Sequence, residues 1–164
     1  MRDDVAIQFD YLYWIRDRIL AQSAELSTDE FSAPETVTTR SLRATLVHEL
    51  DVEWSWRERL RRKDFPEGEL RPDDYPTCVS VVEHWQRDEA DMRRWIAGLT
   101  DEQLDRPPPG ENDAYPLSYY VLHITSHGLQ QFSEAAVLLT RAGRSPGEIG
   151  FLEFADTKRF APQD

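Results

Sequence analysis

The stretch that decides the fold runs from Pro116 to Ser133 and reads PLSYYVLHITSHGLQQFS. It contains no Asp, Glu, Lys or Arg, although 30% of the chain is charged. Gly143 and Pro146 follow it in the order that ends helices. We therefore expect a long helix from about Leu117 to Ala142, and the lack of charge predicts that it is buried on nearly every side.

Three other stretches carry apolar residues at steps of three and four, which is typical of amphipathic helices. They run from about Asp4 to Leu26, from about Thr39 to Arg62, and from Thr77, a common N-cap residue, to about Leu99. Proline-rich breaks separate the helices, and the segment IGFLEF is expected to pack back over them. The pattern predicts an all-α protein, an antiparallel four-helix bundle with a short C-terminal helical segment, in a single domain over residues 1–164.

Composition narrows the possible partners and the expected location. The formal net charge is −12, which disfavours nucleic-acid binding because the phosphate backbone would be repelled. No apolar run is long enough to cross a membrane, and the N-terminus MRDDVAIQFDYLYW does not resemble a secretory signal. With Cys78 as its only cysteine, the chain is expected to be a soluble cytoplasmic protein.

Aromatic residues are unusually frequent in the first helix. Tyr11, Tyr13 and Trp14 lie close together, and one apolar stripe cannot bury all three rings. Apolar surface that remains open favours association between copies of the chain. We therefore expect a homodimer.

Polar side chains on the last long helix share one face. At about 100° per residue they fall within an arc of roughly 120°. Buried polar groups without partners cost about 1–3 kcal/mol each, so such a stripe is expected to converge on a cavity between helices. Gly128, which is unfavourable within a helix, suggests close approach by another group. The polar residues are His123, His127, Gln130, Gln131 and Glu134.

Spacing alone is weak evidence for a metal site. A single buried histidine is more often bonded to a backbone carbonyl, and this is the simpler interpretation of His123. His48 on the second helix need not face water, and one of the neighbouring acids Glu49, Asp51 and Glu53 could hold its second ring nitrogen. His84 lies among charged residues and is interpreted as a surface residue.

The order of elements resembles that of the DinB/YfiT-like proteins over essentially the whole chain. The resemblance is carried by LVHELDVEWSWRERL, residues 46–60, and by LHITSHGLQQFSEAAVLLTRAGRSPGEIGFLEF, residues 122–154. The second block is the more specific. It matches a helix with two histidines spaced by four, an alanine- and leucine-rich stretch, a Gly-x-x-Pro-Gly turn and a short aromatic segment.

The resemblance implies a divalent metal, zinc or nickel, held by one histidine of the second helix and two of the fourth. Matched by position, the ligands are His48 and His127, with Gln131 in the place of the third histidine. An amide oxygen is a weaker ligand for these metals than an imidazole. Three alternatives stay open: weak metal binding, recruitment of Glu134 or His123, and loss of the metal.

For function, the resemblance implies a transferase that uses a small thiol such as mycothiol or bacillithiol, with the metal favouring the reactive thiolate. An electrophilic substrate is implied but not identified, and no catalytic base is assigned. Two alternatives are a non-catalytic, stress-associated binding protein with a degenerate metal site and a metal-dependent hydrolase.

Overall fold

The computed structural model describes residues 2–35, 37–62, 64–109 and 114–159, and these residues contain only helices and connecting segments. The all-α prediction is confirmed over these ranges, which contain no strand. A 3₁₀ turn, Pro72–Asp74, lies between α3 and α4. The α-helices are α1 (Arg2–Ser23), α2 (Thr28–Ser32), α3 (Leu42–Arg62), α4 (Cys78–Ala97), α5 (Asp101–Leu104), α6 (Leu117–Arg141) and α7 (Phe151–Arg159).

Side-chain caps set where several helices begin. Thr77 caps α4 as predicted, and its hydroxyl accepts a hydrogen bond from the backbone amide of Ser80. The helix expected from Thr39 begins instead at Leu42, because the hydroxyl of Ser41 accepts from the amide of Ala44 and ends the preceding loop. The short α2, which the sequence interpretation missed, has a complete capping box between Ser27 and Glu30.

The four long helices share one buried core. Helix α6 contacts α1 and α3, and α4 contacts the same two helices from the other side. Leu12, Leu46 and Ile124 are completely buried, and the rings of Trp85 and Phe132 lie 5.7 Å apart where α4 and α6 approach each other through the core. The arrangement places α3 directly beside α6, the two helices that carry the proposed ligands.

The aromatic residues of α1 are covered within the chain. Tyr13 is buried, while Tyr11 and Trp14 pack against Phe154 of α7 with ring centroids 5.5 and 6.0 Å apart. The hydroxyl of Tyr11 donates to the carbonyl of Ile149 at 2.7 Å. The prediction that the segment after Pro146 packs back over the helices is confirmed. Tyr11 and Trp14 remain partly exposed under this cover, so the three rings leave less open apolar surface than expected, and the homodimer stays a prediction.

One face of α6 is exposed, which corrects the expectation that the helix is buried on nearly every side. The absence of charge misled that prediction, because small polar and apolar residues occupy the exposed positions. We call this face the α6 stripe, and it consists of Tyr119, Leu122, Ser126, Gln130, Ser133 and Val137. None of the helices in the described ranges combines the length and hydropathy needed to cross a bilayer.

Candidate functional site

Two histidines meet where α3 packs against α6. The ring centroids of His48 and His127 are 5.0 Å apart, with an angle of 72° between the ring planes. Both side chains are half-buried. The structure thus brings together two of the residues that the sequence proposes as ligands, although they are 79 positions apart in the chain.

Glu49 is the residue whose role the sequence interpretation missed. Its carboxyl Oε2 lies 2.5 Å from Nδ1 of His127, and its side chain is completely buried. We expected one of the acids beside His48 to hold the second nitrogen of His48, but Glu49 contacts the histidine of the facing helix instead. A residue next to His48 in sequence lies about 100° further around α3, and that turn directs Glu49 toward α6.

The Glu49 contact fixes the orientation of the His127 ring. Burial raises the pKa of Glu49 well above its usual value, because a carboxyl removed from water is disfavoured in its charged form. Glu49 and His127 share one proton across this contact, and when the proton lies on Nδ1 of His127 and is donated to the ionised carboxyl, Nε2 is left with a free lone pair. A carboxylate behind a histidine is the usual arrangement for a histidine that binds a metal.

Both imidazoles are neutral at neutral pH. Burial, followed by the charge of Arg40, lowers the pKa of His48 and of His127. The negative charge of Glu134 acts in the opposite direction on each ring but does not reverse the shift. Neutral imidazole is the form that can bind a metal ion, so the pair is in the correct protonation state for that chemistry.

Gly128 makes room for the Glu49 carboxyl. A Cβ atom at this position would lie 2.6 Å from Oε1 of Glu49 and 2.7 Å from Cδ1 of Leu12. The close approach expected from the sequence is therefore a close approach of side chains from α3 and α1. Any larger residue would push Glu49 away from His127.

Gln131 brings a buried acceptor to the same face of α6. Its side chain is only 6% exposed, and its Oε1 atom has no hydrogen-bond partner among the described residues. The Oε2 atom of half-buried Glu134 is similarly without a partner there. A buried acceptor left unpaired costs about 1–3 kcal/mol, so a ligand that used the amide oxygen of Gln131 would recover that cost.

The other sequence candidates do not complete a three-ligand site. Within the described ranges, no three His, Cys, Asp or Glu side chains are grouped so that they could hold one metal ion. His123 is exposed, with its ring centroid 6.2 Å from that of His127, so its interpretation as a core histidine is wrong. Gln130 belongs to the exposed α6 stripe. The candidate donors that remain on this face are the imidazoles of His48 and His127 and the unpaired amide oxygen of Gln131.

His84 lies apart from this site. It is half-buried rather than a surface residue, and its Nδ1 atom is 2.6 Å from the hydroxyl of Tyr75. Burial lowers the pKa of His84. Its place on α4 makes it a useful control for experiments on the other histidines.

Comparison with known proteins assigns the chain to a family. The family model described as the DinB superfamily matches residues 11–133, which is three quarters of the chain and includes α3 and the first two thirds of α6. The matched region therefore contains His48, Glu49, His127 and Gln131. The search of curated proteins returned no significant match.

Proposed function

This chain belongs to the DinB superfamily, and we propose that it is a metal-dependent transferase that uses a small thiol such as mycothiol or bacillithiol. His48 and His127 hold a divalent metal, zinc or nickel, and Gln131 supplies a weaker third ligand. The observation that carries the proposal is the contact between Glu49 and His127, because it fixes the His127 ring, whose centroid lies 5.0 Å from that of His48.

The thiol in this proposal comes from outside the protein. Cys78 is the only cysteine of the chain, and burial raises its pKa to about 11. A buried thiol with a raised pKa is a poor nucleophile, since the thiolate is the reactive form. Cys78 therefore serves the packing of α4, and an external thiol has to provide the nucleophile.

Each residue of the site has a separate task in this reaction. Glu49 holds the proton at Nδ1 of His127 and fixes the ring, while Gly128 keeps the space that Glu49 occupies. His48 and His127 present neutral imidazole nitrogens, and Gln131 presents an amide oxygen. When bound there, a divalent metal supplies a positive charge that favours the thiolate over the thiol.

The fold that supports the site is, in this proposal, an antiparallel four-helix bundle. Its support is the contact pattern, in which α1 and α3 each lie against both α4 and α6. Helices packed in this way build ligand sites from side chains that face each other across the core. We also propose a single domain over residues 1–164, and the core that the four long helices share supports it.

A second candidate is a non-catalytic, stress-associated binding protein with a degenerate metal site. It is favoured by Gln131, since two imidazoles and an amide form a weaker donor set than three imidazoles. The two functions differ in turnover. With zinc or nickel present, the transferase consumes free thiol in the presence of an electrophile, whereas the binding protein leaves the thiol concentration unchanged.

A ligand-restoring substitution tests the metal site. Gln131→His should raise the affinity for zinc or nickel about tenfold, because it replaces an amide oxygen by an imidazole. The gain should also appear as a larger metal-dependent rise in melting temperature. Isothermal titration calorimetry and thermal denaturation, each with zinc and with nickel, provide the measurements.

Two histidine variants are the matched controls. His127→Ala in the Gln131→His background should abolish the metal-dependent rise, whereas His84→Ala should leave it intact. If neither the wild-type protein nor Gln131→His binds zinc or nickel while both remain folded, the metal-dependent proposal is wrong. Tight wild-type binding that Gln131→His does not improve would instead remove Gln131 from the ligand set.

We also propose a homodimer, with the α6 stripe as its contact surface. A chain of net charge −12 repels its own copies, and the stripe offers an approach without charged side chains. Light scattering at micromolar concentration should return twice the 19.1 kDa mass of the chain. Leu122→Glu should shift the protein to the monomer, while a wild-type mass of one chain would refute the dimer.

A further inference from the structure

A series of aromatic rings extends from the histidine pair to the surface. Trp56 of α3 lies 5.2 Å from the ring of His123 and 5.6 Å from that of Tyr120, both on α6. On the other side, Phe65 of the loop after α3 lies 5.2 Å from Trp56. Tyr115 adds a further ring, 6.4 Å from Tyr120. We call these five residues the aromatic face.

The outer rings of the aromatic face are open to solvent. Phe65 is 51% exposed and Tyr115 is 67% exposed, whereas Trp56 and Tyr120 are partly buried against the core. Packing against the core accounts for aromatic residues at the two inner positions, but it does not account for the exposed rings at the two outer positions. Contiguous exposed apolar surface on a protein commonly marks a place where a ligand or another molecule binds.

The inner end of the aromatic face adjoins the candidate metal site. The ring centroid of His123 is 6.2 Å from that of His127, and His127 is 5.0 Å from His48. The helix surface from Pro116 to Ser133 contributes no charged side chain.

The ring geometry favours a planar aromatic occupant over a saturated one. Phe65 and His123 meet Trp56 at 76° and 70°, the edge-to-face arrangement in which positive ring edges contact negative ring faces. The ring of a bound ligand would interact favourably with these rings for the same electrostatic reason. The interaction is strongest for an electron-poor ring, because Trp56 and Tyr120 are electron-rich. The guanidinium carbon of Arg59 lies 5.3 Å from the centroid of Phe65 and puts a positive charge at the outer end, which suits electron-withdrawing substituents.

We infer that the aromatic face binds the electron-poor aromatic ring of the electrophilic substrate and places it beside His48 and His127. The role of this ring as part of a substrate rests on the function proposed above. The binding of such a ring to the aromatic face does not depend on that function. The inference assigns a substrate class to the site: uncharged, planar aromatic electrophiles. Saturated apolar molecules of the same size are excluded from that class.

Binding of 4-nitroanisole to metal-free protein tests the inference. This compound is planar, uncharged and electron-poor, and 1-methoxy-4-nitrocyclohexane, an ether with the same substituents on a saturated ring, is its counterpart. With EDTA present, saturation-transfer NMR titrations should give an affinity for 4-nitroanisole about tenfold higher than for the ether. Trp56→Leu and Phe65→Leu should each reduce the affinity for 4-nitroanisole, with about a fivefold loss for Trp56→Leu.

Trp95→Leu is the matched control, since Trp95 is a half-buried tryptophan on α4 outside the aromatic face. It should leave the affinity for 4-nitroanisole unchanged. The exposed position of Phe65 means that Phe65→Leu remains folded even if Trp56→Leu does not. Equal affinities for the two compounds, unchanged affinity in Phe65→Leu, or an equal loss in Trp95→Leu would each overturn the inference.

The metal titrations separate this inference from the proposed function. If the wild type and Gln131→His bind no zinc or nickel but 4-nitroanisole still binds at Trp56 and Phe65, the transferase proposal fails and the aromatic site stands. If metal binds and 4-nitroanisole does not, the substrate class is wrong and the metal site is unaffected.

Discussion

Two buried carboxyl groups lie one turn apart on α3 and differ in what surrounds them. Glu49 contacts His127, and burial raises its pKa with no opposing cation among the residues that the structure describes. Glu53 accepts a hydrogen bond from the hydroxyl of Tyr13 at 3.1 Å, and the nearby guanidinium of Arg16 opposes the rise in its pKa. Arg16 is itself held by Glu89 at 2.5 Å.

A buried ion pair lies one turn beyond Glu53 on α3. Arg57 and Asp88 of α4 form an ion pair of 2.7 Å in which both side chains are almost completely buried. On the side of α3 that faces α1 and α4, each of these carboxyl groups has a guanidinium near it, Arg16 beside Glu53 and Arg57 beside Asp88, and we call this the balanced side. On the side that faces α6, a buried carboxyl, two neutral imidazoles and an unpaired amide oxygen are left together. Groups left unbalanced in this way are typical of functional sites.

The largest expected effect comes from breaking the balanced side. Asp88→Asn should lower the free energy of unfolding by about 3 kcal/mol, because the buried guanidinium of Arg57 loses the closer of its two carboxylate partners and keeps only Glu58 at 3.3 Å. Glu49→Gln is the matched change on the other side. It removes no ion pair and should alter the free energy of unfolding by no more than about 1 kcal/mol. Urea denaturation at pH 7 measures both, and equal losses would remove the distinction between the two sides.

A smaller effect is expected from filling the space behind Glu49. Gly128→Ala places a Cβ atom 2.6 Å from Oε1 of Glu49, so it should lower the free energy of unfolding by about 2 kcal/mol despite the better helix propensity of alanine. Gly98 provides the control, since a Cβ there meets only backbone oxygens at 3.5 and 3.6 Å. Thermal denaturation should show Gly98→Ala within error of the wild type. A stabilising Gly128→Ala would mean that the Glu49 carboxyl is not held in this position.

The smallest effect concerns the dependence of stability on pH. Burial, and then the charge of Glu49, raises the pKa of Glu53 well above 4.5. As pH rises past about 4.5, Glu53 ionises in the unfolded chain before it ionises in the folded one, so its contribution to stability falls. Glu53→Gln should therefore reduce the decline in the free energy of unfolding between about pH 5 and pH 7 by roughly 1 kcal/mol.

Urea denaturation across that pH range measures the slope. Glu69→Gln, on an exposed loop residue, should leave the slope unchanged. If the free energy of unfolding depends on pH in the same way in Glu53→Gln and in the wild type, then burial does not raise the pKa of Glu53.

The local features of the fold were accessible from the sequence. The N-cap at Thr77, the extent of α6 and the register that places His127 and Gln131 on one face all depend on neighbours within a few residues. The same short-range rules contain the signal for α2, since Ser27 and Glu30 have the spacing of a capping box.

The candidate site was accessible only in part. Sequence reasoning selected His48, His127 and Gln131. It listed Glu49 as a possible partner of His48, whereas the structure pairs Glu49 with His127. It also interpreted His123 as a core residue, although the structure exposes its ring beside Trp56. Helical periodicity gives the angle of a side chain around its own helix but does not identify the helix that faces it.

The sequence by itself determined that this chain is helical, where most of its helices begin and end, and which polar residues share a face. Tertiary structure alone decided that Glu49 reaches His127, that α7 covers Tyr11 and Trp14, and that one uncharged face of α6 stays open. The physical reason is the range of the interactions. Caps and helical register act over three or four residues, whereas burial and charge balance depend on which distant segments pack together.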